Sequence, residues 1–190
     1  MDLVLIGGVS GSGKSVALAA LEDAGYYTIG NLPLPMLQDT VAHLAGKGVT
    51  RVSIALDVKT GPGLPGLGGE IELLKARGHT VRFVYLDAKV ETLVKRFSET
   101  RRRHPFSTDD RTLSEAIDYE RRLVADERVL GTTFDTSELP AAALRGWVKD
   151  FLSVDATRLT LLFESFGFKH GIPLDADLVF DVRCLPNPHY

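Results

Sequence analysis

Apolar positions along this chain follow two rhythms, short continuous runs and longer spaced stripes. Residues 3–6, Leu-Val-Leu-Ile, form an uninterrupted apolar run. A run that short, with no polar face, reads as a buried strand. Residues 16–24 are rich in Ala and Leu and stop at Gly25, as a helix does. Residues 26–29 predict a second strand, ended by Gly30-Asn31-Leu32-Pro33, and residues 36–45 a helix closed by Gly46 and Gly48. Residues 49–57 predict a third strand, with Val52, Ile54 and Leu56 apolar and Asp57 at its end. A short helix follows over 70–77, and a fourth strand over 81–87 ends at Asp87.

A further helix is expected from Val90 towards Arg103, broken by Pro105. Thr112-Leu113-Ser114-Glu115 has the form of a capping box, and the helix it opens carries Leu113, Ala116, Ile117, Leu123 and Val124 on one face. Residues 132–135 predict a short fifth strand. Leu144, Trp147, Val148, Phe151 and Leu152 are spaced 3, 1, 3 and 1 apart, the stripe of an amphipathic helix with Trp147 in the core. Strands alternating with helices predict an α/β fold over residues 1–154, a parallel five-stranded sheet covered by helices on both faces. Past residue 154 the rhythm changes. Strands are expected over 159–163 and 178–183 with no helices left to cover them, so residues 155–190 read as the beginning of an incomplete C-terminal domain.

Between the third strand and the next helix, seven of the nine residues 61–69 are Gly or Pro, so this stretch is expected to be loop. It could serve as a lid beside a ligand or as a passive surface loop.

The chemistry concentrates between the first strand and the first helix. Gly8-Val9-Ser10-Gly11-Ser12-Gly13-Lys14-Ser15 is a full match to G-x-x-x-x-G-K-[ST], the phosphate-binding P-loop. Its glycines allow successive N–H groups to turn inward as a nest for phosphate oxygens. Lys14 would reach the β- and γ-phosphates and the Ser15 hydroxyl would ligate Mg²⁺. The motif is credible because a strand precedes it and a helix N-terminus, which favours an anion, follows.

Such a site needs an acid near the Mg²⁺. Asp57 and Asp87 both end apolar strands, where ligands of parallel sheets bind. In kinases of the adenylate-kinase type the third strand lies beside the P-loop strand, which favours Asp57; either acid could instead be a strand-end cap. Arg96, Arg101, Arg102, Arg103 and His104 form a dense basic cluster. Arg101 and Arg102 are candidates, with Lys14, to act on a transferring phosphate, although helical spacing would put those two arginines on different faces. The alternative is a solvated basic face.

Composition narrows the classes. The net charge of −3 carries no global signature of nucleic-acid binding. A single cysteine, Cys184, cannot make an intramolecular disulfide and fits a reducing compartment. No apolar run reaches the length of a membrane span, and the N-terminus lacks the pattern of a signal peptide, so a cytoplasmic protein is expected.

Several blocks resemble the RapZ/YvcJ family of P-loop nucleotide-binding proteins, which includes RNase adapter proteins. They are the P-loop with Ala17-Leu18 and Leu21-Glu22-Asp23, Asn31-Leu32-Pro33, Thr100 to Pro105, Asp135-Thr136-Ser137, Ser165 to Gly171, and Asp181-Val182-Arg183 with Leu185 to His189. The resemblance covers nearly the whole chain. It implies binding and slow hydrolysis of ATP and GTP, the ATP segment falling on Gly8 to Ser15. A proposed GTP segment falls on Asp57, Val58, Lys59 and Thr60, where Lys59 replaces the family's Arg. It also implies, in some bacteria, a C-terminal domain that binds small regulatory RNA and an amino-sugar phosphate and presents the RNA to an endoribonuclease. The family's chains run well past the proline-rich block, so those properties carry over to no residue here. Oligomeric state stays open, a homo-oligomer included.

Gly30 stands where the family has Asp in Asp-Asn-Leu-Pro. A small-molecule kinase of the shikimate, gluconate or adenylate type is the main alternative function. It would need a group near the γ-phosphate to position an acceptor hydroxyl, and Gly30, the position expected to supply it, has no side chain. A nucleic-acid-binding module built on Arg101 to His104 is the third reading, disfavoured by the acidic net charge.

Overall fold

The computed structural model describes residues 1–58, 64–153 and 163–185. Its elements are β1 (Asp2–Gly8), α1 (Lys14–Asp23), β2 (Tyr27–Pro33), α2 (Leu37–Gly46), β3 (Arg51–Asp57), α3 (Leu67–Ala76), β4 (Thr80–Asp87), α4 (Val90–Thr100), α5 (Leu113–Leu123), β5 (Thr132–Asp135) and α6 (Ala141–Ser153). Three short 3₁₀ segments lie between or after them. The strands form one parallel sheet in the order β2-β3-β1-β4-β5.

β1 is central, which is why its side chains are apolar on both faces. Leu3 and Leu5 face one core, with Leu37 and Val41 of α2, Leu67 and Leu74 of α3, Leu93 of α4 and Ile117 of α5. Val4 and Ile6 face the other, with Ala17 and Leu21 of α1 and Leu144 and Val148 of α6. Trp147 joins that second core, stacked 3.8 Å from Phe134 and 5.2 Å from Phe151. No helix among the described residues is long and apolar enough to cross a membrane.

Four expectations need correction. α3 begins at Leu67, so residues 67–69 are helix rather than loop. Leu64 and Leu67 are both buried, and seating them in the core draws the chain into its turn early. α4 ends at Thr100, well short of Pro105, because Arg101 takes a left-handed conformation (φ 50°). β2 runs on to Pro33, through the residues expected to end it. It survives there by a register shift between Ile29 and Leu32, with Asn31 at φ 54°.

Residues 178–183 form no strand. Among the described residues no neighbouring strand offers the ladder partners that an extended segment needs, and Leu178 and Phe180 are 77% and 76% exposed. The strand expected over 159–163 lies almost wholly outside the described residues. Among the described residues, the segment from residue 163 to 185 is hydrogen-bonded to the sheet at Asp135: the Leu174 N–H donates to Asp135 Oδ2 (3.0 Å) and the Asp135 N–H to Asp175 Oδ2 (2.9 Å).

Candidate functional site

β1 delivers the loop of residues 8–15 to the carboxyl edge of the sheet, between the ends of β3 and β4. Ile6 lies level with Ala55 and Gly8 with Leu86. Gly8 must be glycine: its φ is 120°, and a Cβ there would stand 2.0 Å from the Leu86 carbonyl oxygen. The loop then passes into α1, whose N-terminus has no side-chain cap and no acid in its first turn. Its leading N–H groups are therefore left for an anion.

The loop's own contacts hold it open. Lys14 Nζ donates to the carbonyls of Gly8 (2.5 Å) and Val9 (3.0 Å), arching back over the strand end. Three residues from other elements brace the backbone from outside. Arg96 of α4 donates to Gly11 O (3.0 Å) and to Thr136 Oγ1 and O. Thr136, just past β5, donates to Ser12 O (2.8 Å) or Asp87 O (3.0 Å). Glu120 of α5 takes the Ser10 N–H on Oε2 and the Ser10 hydroxyl on Oε1, both at 2.8 Å.

Glu120 is fully buried and also meets His104 Nε2 at 3.1 Å. Burial opposes its charge, but the His104 contact, the Lys14 ammonium and the two Ser10 donors outweigh that and hold the carboxyl below its ordinary value. Close by, Glu127 is 3% exposed; its Oε1 accepts the Leu64 N–H (3.0 Å), and its Oε2 has no hydrogen-bond partner among the described residues. Burial pushes this carboxyl up to about 7, against the pull of the Leu64 N–H and Lys14.

A cleft of about 460 Å³ opens in front of the loop. That volume is in the range of small-ligand and cofactor sites. Of the residues picked out from sequence, Ser10 to Ser15, Asp57, Val58 and Arg102 all line it. Gly8 and Val9 are buried beneath it as the loop's base. Arg101 is exposed and is not among the lining residues, whereas Arg96 and Arg103 are. Lys59 and Thr60 lie outside the described residues. The two arginines do not sit on different faces of a helix, because both follow the end of α4. His104 is no part of an exposed basic cluster: it is 2% exposed.

Strand order alone does not separate the two acids, since β3 and β4 both flank β1. Their surroundings do. Asp57 faces the cleft, while Asp87 is 2% exposed, accepts the Ala88 N–H (2.8 Å) and pairs with Arg121 (2.9 Å). Asn31, not Gly30, presents a side chain from β2 to the cleft.

Sequence reading missed Glu120, Thr136 and Asn31. Glu120 left a trace: with Ala116, Ile117 and Val124 it occupies the buried side of α5, and an acid on a buried stripe needs a partner. The other two stand in the sequence only as members of blocks shared with the family, because their roles depend on strand ends brought together from distant parts of the chain.

The sheet order, the glycine-lined loop entering an uncapped helix and the cleft beside it define a P-loop nucleotide-binding protein of the α/β class with a kinase-like fold. Solved structures of that fold superpose over most of the chain. YorR of Bacillus subtilis in complex with phosphorylated GDP matches with a TM-score of 0.57, at 13% identity, over 84% of this chain and 100% of its own. A shikimate kinase of Bacteroides thetaiotaomicron matches at 0.52 and 13%, over 80% and 99%. At such identities the likeness is one of fold.

Residues 1–156 match the family model of the RapZ-like N-terminal domain and residues 159–190 that of the RapZ C-terminal domain, so the chain belongs to the RapZ-like family. It is 58% identical over 190 residues to a nucleotide-binding protein of Thiobacillus denitrificans, covering all of this chain and 68% of that one. With another from Aromatoleum aromaticum it is 57% identical over 191 residues, covering all of this chain and 65% of the relative. The chain thus spans about two thirds of the length of these curated relatives.

Proposed function

We propose that this protein binds ATP and GTP in the cleft in front of residues 8–15, hydrolyses them slowly, and uses the bound state as a signal rather than as a source of phosphoryl groups. The observation that carries this is the convergence of Lys14, Ser15 and Asp57 on one cleft at the uncapped N-terminus of α1. Ser12 adds to it: it lines the cleft, and its buried hydroxyl has no hydrogen-bond partner among the described residues, leaving a donor for a phosphate oxygen.

Lys14, now on loop carbonyls, would transfer to the β- and γ-phosphates. Ser15 and Asp57 fit Mg²⁺, being oxygen donors on the same cleft, and the ion would neutralise phosphate charge there. Arg102 and Arg103 also line the cleft and would face the terminal phosphate. Arg101, exposed outside the lining, would need the segment to move before it could do so. Residues 1–154 would form the nucleotide-binding domain and 155–190 the opening of a C-terminal domain. A cytoplasmic adapter role, with a small regulatory RNA and an endoribonuclease as partners, rests on the family resemblance alone, and no residue described here carries it.

Slow turnover is expected because fast transfer needs a positioned nucleophile and a closed charge clamp. One observation favours the second reading, a small-molecule kinase: Asn31 places a polar side chain in the cleft where an acceptor hydroxyl could be held. Steady-state turnover with Mg²⁺-ATP and Mg²⁺-GTP, alone and with sugars, nucleosides and hydroxy acids, decides between them. Rates well below the ~1–100 s⁻¹ of dedicated kinases with every acceptor support the adapter. Any acceptor phosphorylated at kinase-like rates overturns it.

A further inference from the structure

Beneath the loop, Glu120 and His104 connect two things that a triphosphate would touch separately. On one side both donors of Ser10 end on the two oxygens of Glu120. On the other, His104 Nε2 meets Glu120 Oε2 at 3.1 Å. The Phe106 N–H donates to His104 Nδ1 (3.2 Å), so by these partners the ring proton sits on Nε2 and points at the carboxylate. Phe97, whose ring centroid is 4.9 Å away, packs on the imidazole and also lies under Gly11 of the loop.

Among the described residues, the segment carrying His104 is otherwise held by local backbone bonds, the Ser107 N–H to His104 O (3.0 Å) and the Arg101 N–H to Ser98 O (3.4 Å). Residues 101–105 form no helix or strand; Arg101, Arg102, Arg103 and Pro105 are exposed, and Arg103 reaches Asp109 across an exposed gap of 3.3 Å. His104 is the one member of these five that is buried. Where Arg102 and Arg103 stand on the rim of the cleft therefore depends on where His104 is anchored, and that anchor is the carboxylate that also fixes Ser10.

We propose that Glu120 and His104 are positioning residues that latch the arginine-bearing segment 101–105 to the phosphate-binding loop, so that this protein distinguishes a nucleoside triphosphate from a diphosphate through the arginines they hold. The proposal rests on the reading of the cleft as a nucleotide site. A diphosphate would be held by the loop, Lys14 and Ser15, and the loop keeps its Glu120 brace when His104 alone is removed. A terminal phosphate would in addition be met by the arginines, which are not. Without the latch, loop and segment move apart and the extra contact is lost.

The test is calorimetric titration of the whole chain with a non-hydrolysable ATP analogue and with ADP, each with Mg²⁺. Four proteins are compared: wild type, His104→Ala, Arg102→Ala/Arg103→Ala, and the triple variant. We expect His104→Ala to weaken triphosphate binding about tenfold, in the range of ordinary site–site coupling, while ADP affinity stays within about twofold. In the arginine double variant, adding His104→Ala should cause no further loss.

His104→Gln, whose amide can still donate to Glu120, should recover most of the discrimination. An equal loss for both nucleotides, or losses that add in the triple variant, would overturn the latch and leave His104 as core packing. Should His104→Ala not fold, Ser10→Ala, which removes one of the two Ser10 bonds, is read by the same ratio: a selective loss of triphosphate supports the latch, and an unchanged ratio overturns it. Wild type that binds neither nucleotide sinks the site itself, an outcome distinct from failure of the latch alone.

Discussion

β3 and β4 lie on either side of β1, run the same way, and each ends in an aspartate. The β3 side is open. Asp57 is half-buried and faces the cleft together with Asn31 from β2, and the loop of residues 8–15 presents Lys14 and Ser15 beside them. The β4 side is closed. Asp87, Glu120, His104 and Glu127 are all buried, and most of their polar atoms are committed to one another, to Arg121 or to the backbone. The open half turns its groups toward the cleft; the closed half holds the backbone that presents them. Buried polar networks suit that second task, because a satisfied network in a low-dielectric interior admits few alternative geometries.

Outside the Glu120–His104 pair, substitutions should therefore split by side, affinity on one and stability on the other. The largest effect is expected from Lys14→Ala, with triphosphate affinity falling about 100-fold, the scale of a lost charge-assisted contact, and the melting temperature little changed. Titration of a folded variant checks this, and unchanged affinity for ATP and GTP would remove the cleft from consideration as the nucleotide site. Asp87→Asn should act in the opposite register. It keeps an oxygen for the Ala88 N–H but takes the negative charge away from Arg121, costing about 2 kcal/mol in chemical denaturation, with Mg²⁺-nucleotide affinity kept in the fraction that folds.

Asp57→Asn should then lower the Mg²⁺-dependent part of binding about tenfold and move the denaturation midpoint less than Asp87→Asn does, as expected for an ion ligand outside the core. If the Asp87 variant rather than the Asp57 variant lost the Mg²⁺ effect, the open-and-closed contrast would be reversed.

The smallest effect is a dependence on pH. Glu127 has a folded-state pKa raised to about 7, above its unfolded value of about 4.5. Between those values the folded chain holds a proton that the unfolded chain has lost, so this group makes stability fall as pH rises from about 4.5 to 7, with no further change above. Glu127→Gln keeps an acceptor for the Leu64 N–H and has no charge to bury. It should flatten that part of the profile and raise stability at pH 8 by about 1 kcal/mol relative to wild type, measured by denaturant unfolding across pH. A profile unchanged by the substitution would remove Glu127 as its source.

Local signals were read well where a motif contains its own cause. β5 spans the four residues its pattern marks, and the capping box of α5 is formed, with Thr112 and Glu115 each bonded to the other's backbone. The end of α4 was misread because Pro105 is the louder signal, while Arg101 adopts a left-handed turn that no residue type announces. The family pattern has an acid at Gly30, which makes that the expected acceptor position; a register shift in β2 puts Asn31 at the cleft instead.

Local pattern alone marks a glycine-rich loop between a buried strand and a helix, and further strands alternating with helices around it. Hydrophobic period, glycine spacing and capping all act within a few residues of where they are written. Which strand-end acid faces the cleft, that His104 is buried against Glu120 rather than part of a basic face, and that Glu120 holds the loop by Ser10 emerge only once the chain is folded. Those roles are set by burial and by partners up to 110 residues away in the chain, and an aspartate or histidine takes its chemistry from what surrounds it more than from what precedes it.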